Sequence, residues 1–367
     1  MKFDRDRDHH LPTGVLGLAL TPDGGHAYAA CADGAVYEVN MEDGRNVALD
    51  GRHDSFASGC VLLPNGKTLI SGGYDGQLLW HELETRRCRR RVKAHQFWNW
   101  QLALSSDGRR LATVTGQYLP GSWKYEPAPG SEPSVKVFDA SSGDRLASFS
   151  HVPPVTSCAF SPNGQFLAAG NLMGELRVWD LDADPGGAPI KTWTSPDFTS
   201  WGSIKTHHYC GGIYGLAFAP DGASLLGCGM GPMTDPMAGN GKMTWQRWDW
   251  RRGERIDQIR DGQHGSGLME AVAWHPKGDH FVMAGRQAQG TWNVALFAAA
   301  DGNLLASTDT KQRVTQARFT KDGSVLVLSG ATGQPQPKEG AWPAWGRIQR
   351  FRLNADRQAP EGSAANG

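Results

Sequence analysis

The sequence has no excess of either charge: 37 Lys and Arg balance 37 Asp and Glu over 367 residues. Proteins that grip nucleic acid or an anionic membrane as a rule carry a basic surplus, so both are disfavoured as partners. No run of about 18 apolar residues occurs, which argues against a membrane-spanning helix. The opening MKFDRDRDHH is charged, with no apolar core behind it, unlike a secretory signal. Cysteine is scarce. The six (Cys31, Cys60, Cys88, Cys158, Cys210 and Cys228) form no CxxC pair, and a chain this long needs no disulfide staples. The expectation is reduced thiols and a cytoplasmic setting. Gly-x-Ser-x-Gly, a phosphate loop, HExxH and paired carboxylates are also missing. No catalytic residue, cofactor or metal is therefore expected.

Glycine is what the chain has in abundance, 47 residues, well above the usual ~7%. With glycine counted, the apolar share is that of a folded globular protein, and the excess points to many tight turns. Length alone would suggest two or three domains, but a repeat overrides that arithmetic. A short apolar strand followed by turn residues and Gly ends at Gly24 (LALTPDG), Gly66 (CVLLPNG), Gly108 (LALSSDG) and Gly164 (CAFSPNG). It returns at Gly222 (LAFAPDG), Gly278 (VAWHPKG) and Gly323 (ARFTKDG). The spacings are 42, 42, 56, 58, 56 and 45. Pro presets φ and Gly accepts positive φ in such triplets. Seven copies at ~40–45 residues, some with insertions, mark a propeller.

Each copy continues with a second strand, a Gly-containing turn and a third strand ending in a bulky residue: Val39, His81, Phe138, Trp179, Trp248, Phe297 and Phe351. Asp follows in copies four and five, as Trp179-Asp180 and Trp248-Asp249. A fourth strand leads to the next copy. These features resemble the WD40-repeat family. The resemblance implies an all-β, seven-bladed β-propeller of four-stranded antiparallel blades over residues 2–354, with 355–367 a flexible tail. It also implies a buried His–Ser/Thr–Asp–Trp hydrogen-bond group in each blade. Copy two offers His53, Ser71 and Asp75, with His81 in the Trp place. Copy four offers His151 and Trp179 without the Ser and Asp, and copy five Trp248 with His208 nearby. Copy seven lacks a fourth strand. The N-terminal KFDRDRD (2–8) is expected to supply it and close the ring, with Asp4, Asp6 and Asp8 on one side and Phe3, Arg5 and Arg7 on the other.

The resemblance places the loops before first strands and after second strands on one face, the top. Inserts at 118–132, 195–209, 230–241 and 331–345 all fall there by that rule, and only a short one, 183–188, goes to the bottom. The top inserts carry Trp123, Tyr125, Trp201, His207, His208, Met233, Met237, Trp342 and Trp345. Such aromatic and Met content suits a binding patch, although each ring could instead fold back on the propeller. The expected function is a non-catalytic scaffold, monomeric on its own, that binds a protein or peptide through these loops. The alternative is a hydrolase or lactonase-like enzyme with a metal at the channel mouth, for which Asp197, Asp261 and Glu270 are the acidic candidates. His207, His208 and Cys210 could ligate a metal, or one His could be the ordinary residue before a strand. The basic run of Arg86, Arg87, Arg89, Arg90, Arg91 and Lys93 reads as edge protection of an outer strand or as a site for an acidic partner or nucleic-acid phosphates. Cys60 and Cys158 share one position and read as packing residues.

Overall fold

A computed structural model describes residues 1–116, 132–184, 186–200, 210–235, 240–333 and 337–354. Among them are twenty-nine strands and a single 3-10 turn, Pro196–Phe198. Among these residues no helix is long and apolar enough to cross a membrane. The strands form five four-stranded antiparallel sheets and one nine-stranded sheet. In each four-stranded sheet but one, consecutive strands pair in sequence order, as in Ala57–Leu62, Thr68–Gly73, Gln77–Glu82 and Arg87–Lys93. The nine-stranded sheet contains copies five and six, joined where Gly241 and Lys242 pair with Gly267 and Ser266.

The turn chemistry explains the shared register. All seven triplet glycines, from Gly24 to Gly323, have φ between 65° and 74°, a region only glycine enters cheaply. In four copies a Ser or Thr hydroxyl donates to the residue two along: Thr21 to Asp23, Ser105 to Asp107, Ser161 to Asn163 and Thr320 to Asp322, each 2.6 Å. The first strands (Val15–Leu20, Ala57–Leu62, Gln101–Leu104, Val155–Phe160, Cys210–Phe218, Ser266–Trp274 and Arg313–Phe319) pack side by side, the last against the first. Their approach is close: a Cβ added at Gly17 would collide with the Gly59 backbone. Hydroxyls tie neighbours together. Ser58 donates to Asn99 O (2.6 Å), Ser157 to Ile213 O (2.8 Å) and Thr315 to Val15 O (2.8 Å).

The cores lie between neighbouring copies. One layer packs Val114, Val137 and Phe149 of copy three on Trp179 of copy four. Another packs Leu11, Val15, Val39, Val327 and Ile348, and so joins the two ends of the chain. The N-terminal strand, Lys2–Leu11, pairs antiparallel with Gly346–Asn354 from Lys2↔Asn354 to Leu11↔Gly346. It runs further than 2–8, and near its end His9 and Leu11 are buried while His10 is exposed. The strict alternation expected there is interrupted. The register shifts between Arg5 and Arg7, leaving Asp6 as the extra residue. Asp6 binds Arg350 (2.9 Å) and Arg352 (3.1 Å), and Asp8 binds Arg347 (3.0 Å).

The inserts also depart from simple loops. Residues 230–241 are largely a continued hairpin, because the strands Leu225–Asp235 and Asn240–Asp249 extend beyond their neighbours. Residues 195–200 form the 3-10 turn and a short strand, Thr199–Ser200, paired with Cys210 and Gly211. The tail 355–367 lies outside the described residues.

Candidate binding face

Copy two assembles the expected buried group, with a variation. His53 Nδ1–H donates to Asp75 Oδ1 (3.0 Å), and His53 Nε2 lies 2.9 Å from Ser71 Oγ. Ser71 Oγ is 3.0 Å from His81 Nε2, and His81 Nδ1 is 3.0 Å from Asp50 O. His81 therefore fills the Trp place in the network as well as in the sequence. Four hydrogen bonds end on acceptors at both ends of this row. Ser71 and two neutral imidazoles supply three protons between them, one fewer than the four contacts. Burial pushes His81 down to about 4, so its ring is neutral at ordinary pH. Burial opposes the Asp75 charge, but the hydrogen bond and charge of His53, with the Gln77 and Asp54 N–H groups, outweigh it and hold the carboxyl at about 2.

Copy three uses a longer acid. His95 Nε2 is 3.2 Å from Thr113 Oγ1, and Glu132, which also receives Lys136 Nζ, lies 3.7 Å from His95 Nδ1. Copy four shows the defect its sequence implies. Ala169 stands where copy two has Ser71, and His151 Nδ1, His151 Nε2 and Trp179 Nε1 are buried without partners. In copy five the residue doing the work is Ser195. Its N–H donates to Gly174 O (2.8 Å), as that of His53 does to Gly34 O (2.9 Å). Its Oγ accepts Trp248 Nε1–H at 3.0 Å. Gly227 holds the strand position of Ser71, and a Cβ there would sit 2.8 Å from the Trp248 ring. His208 lies outside the described residues. Asp180 and Asp249 act as turn acceptors, for Asp182 N–H (3.0 Å) and Arg251 N–H (3.1 Å).

Among the described residues, a row of aromatic rings from three copies is half-buried, with Trp98 exposed. Phe56 precedes the first strand of copy two, and Tyr74 follows its second strand. Phe97, Trp98 and Trp100 precede the first strand of copy three, and Trp342 comes from the copy-seven insert. Tyr74 stacks on Trp98 at 4.7 Å and meets Trp100 edge-on at 5.4 Å. Phe97 stacks on Trp98 at 4.9 Å, Phe56 lies 5.6 Å from Tyr74, and Trp342 meets Phe56 edge-on at 6.0 Å. Trp98 is 40% exposed. Trp100 Nε1–H donates to Gly116 O (3.1 Å), which fixes one side of the row. Glu270 and Arg313 form a two-point ion pair of 2.5 and 2.6 Å, and their charges act on the Tyr74 hydroxyl. Burial, with Glu270, raises Tyr74 to about 12, so it stays protonated.

Of the residues named from the sequence, Trp342 joins this row. Trp345 packs over Gly333, and its carbonyl accepts the Thr332 N–H (2.9 Å), so it serves its own hairpin. Trp123, Tyr125, Trp201, His207, His208 and Met237 lie outside the described residues. Met233 sits on the extended hairpin, opposite Gly241. Phe56, Tyr74, Trp98 and Trp100 were missed because they lie in short connections. The recurrence of aromatics beside the copy-two and copy-three strand ends was the available signal.

The acidic candidates do not share a site. Asp197 pairs with Arg255 (2.7 Å), Asp261 faces His264 (3.8 Å) and Glu270 is held by Arg313. Cys60 and Cys158 are buried, and burial raises both thiols to about 12, as suits packing residues. His275, Asp279 and His280 bring three donor atoms within 4.8 Å, enough to touch a metal ion. His275 occupies the turn position of Thr21 and Ser105, however, and with His280 binds Asp279 Oδ1 at 3.0 and 2.8 Å. The trio thus does the work of the turn hydroxyl.

The family model described as WD domain, G-beta repeat matches residues 143–180. That span runs from the copy-three turn through the copy-four strand ending in Trp179-Asp180. The chain is 25% identical over 281 residues to telomerase protein component 1 of Mus musculus, covering 76% of this chain and 9% of that protein. It is 23% identical over 248 residues to Protein HIR1 of Cryptococcus neoformans var. neoformans, covering 64% of this chain and 25% of that one. These matches support a WD40-repeat family for the chain. A third relative, the SAGA complex/transcription factor TFIID complex subunit Taf5 of Schizosaccharomyces pombe, is 33% identical over 84 residues, 23% of this chain and 13% of that protein. The chain thus spans a quarter or less of the length of these relatives. Its four-stranded antiparallel sheets agree with the family assignment.

Proposed function

We propose that the chain is a seven-bladed ring closed by its N-terminal strand, which binds a protein partner on the aromatic row without catalysis. The cores between consecutive copies, the packing of copy seven on copy one and the Lys2–Leu11 pairing support the ring. The observation that carries the binding role is the contiguous set of rings from three copies, with Trp98 open to solvent. Rigid aromatic anchors on a preformed surface give up little entropy on binding and dominate interface energies. Two relatives are named as a telomerase component and a complex subunit, which supports membership of an assembly. The separate pairing of Asp197, Asp261 and Glu270 speaks against the hydrolase reading. A cytoplasmic, monomeric state is part of the proposal, and the free cysteines among the described residues support the compartment.

The test is crosslinked capture from the native cell. Wild-type protein should retain a partner that Trp98→Ala loses, with thermal unfolding unchanged. Equal capture by both forms contradicts the proposal.

A further inference from the structure

Every first strand carries a residue just before its final bulky position. In six copies that residue is small and apolar: Ala19, Val61, Ala103, Ala159, Ala217 and Ala273. In the seventh it is Arg318. All seven line one central cavity of 510 Å³, a size common for small-molecule sites. The Arg318 guanidinium has five N–H donors. One, on Nη1, donates to the carbonyl of Ala317 (2.9 Å). Among the described residues no other acceptor bonds it and no carboxylate pairs with it. The other charged residue of the cavity wall, Glu270, is already satisfied by Arg313. Burial lowers the pKa of Arg318, yet an arginine stays charged at any ordinary pH.

One residue further along six of the seven strands the wall is apolar: Leu20, Leu62, Leu104, Phe160, Phe218 and Phe319. A fixed planar cation thus stands beside an apolar ring. The fork of a guanidinium matches a carboxylate at two points, and the ring suits a compact hydrocarbon body. We propose that the central cavity binds a small organic acid, its carboxylate on Arg318 and its apolar body against this ring.

Titration calorimetry with benzoate tests this, with benzamide as the neutral isostere. Benzoate should bind one to one at millimolar concentration, and benzamide at least about tenfold more weakly. Arg318→Ala restores the residue of most other copies, so its unfolding temperature should match wild type while benzoate affinity falls at least about tenfold. Arg318→Lys keeps the charge but not the fork and should fall in between. Absence of benzoate binding, equal binding of benzamide or unchanged affinity in Arg318→Ala would each overturn the proposal.

Discussion

A missing hydroxyl at Ala169 and a missing carboxylate at Met173 leave His151 and Trp179 with three unpartnered buried polar atoms. An unmade buried hydrogen bond costs ~1–3 kcal/mol. Ala169→Ser places a hydroxyl where copy two has Ser71, and chemical denaturation should show a gain of ~1 kcal/mol or more; a loss would mean that the pocket cannot admit the oxygen. Trp179 is itself 1% exposed and stacks on Phe149 at 5.2 Å. Trp179→Ala should destabilise by ~3–5 kcal/mol, as large aromatic truncations in cores do. A change under ~1 kcal/mol would contradict its burial. The defect in copy four was legible from the absent Ser and Asp. The role of Ser195 was not, because a serine outside the repeat phrase carries no mark of the histidine place it fills.

At the scale of the element, the His53–Ser71–His81 row couples copy two to pH. The folded pKa of His81, about 4, lies below its ordinary 6.5. Its contribution to stability is therefore full above pH 6.5 and declines as pH falls toward 4, where the unfolded chain binds the proton first. The Asp75 carboxyl, about 2 against an ordinary 3.8, contributes above 3.8, and that contribution is lost as pH falls toward 2. His81→Phe, which installs the residue of copies three, six and seven, removes one titration. The fall in stability between pH 6.5 and 4 should then be shallower by up to ~1.4 kcal/mol per pH unit. An unchanged slope in denaturation curves across that range would show that His81 is not the group. Strand positions were legible because the turn triplet fixes where each strand starts and stops. The bulge at Asp6 was not, because DRDRD alternates on paper and only pairing with Arg350 and Arg352 pulls one aspartate out of step.

At the scale of the whole molecule, the proposed binding face depends on which loops the fold brings together. Insert length pointed to the long excursions. The structure instead gathers rings from short connections of copies two and three, with Trp342 as the one contribution from a long insert. Length measures how far a loop can reach, whereas contact depends on the angular position of its copy, which composition does not encode. The contact of Trp342 with Phe56 spans copies seven and two and forms only if the chain ends meet. A double-mutant cycle on Phe56→Ala and Trp342→Ala, read by equilibrium unfolding, tests this most directly. Edge-to-face aromatic pairs are worth ~0.5–1.5 kcal/mol beyond burial, so a coupling of that size is expected. Strictly additive effects of the two substitutions would contradict the closed arrangement on which the binding face rests.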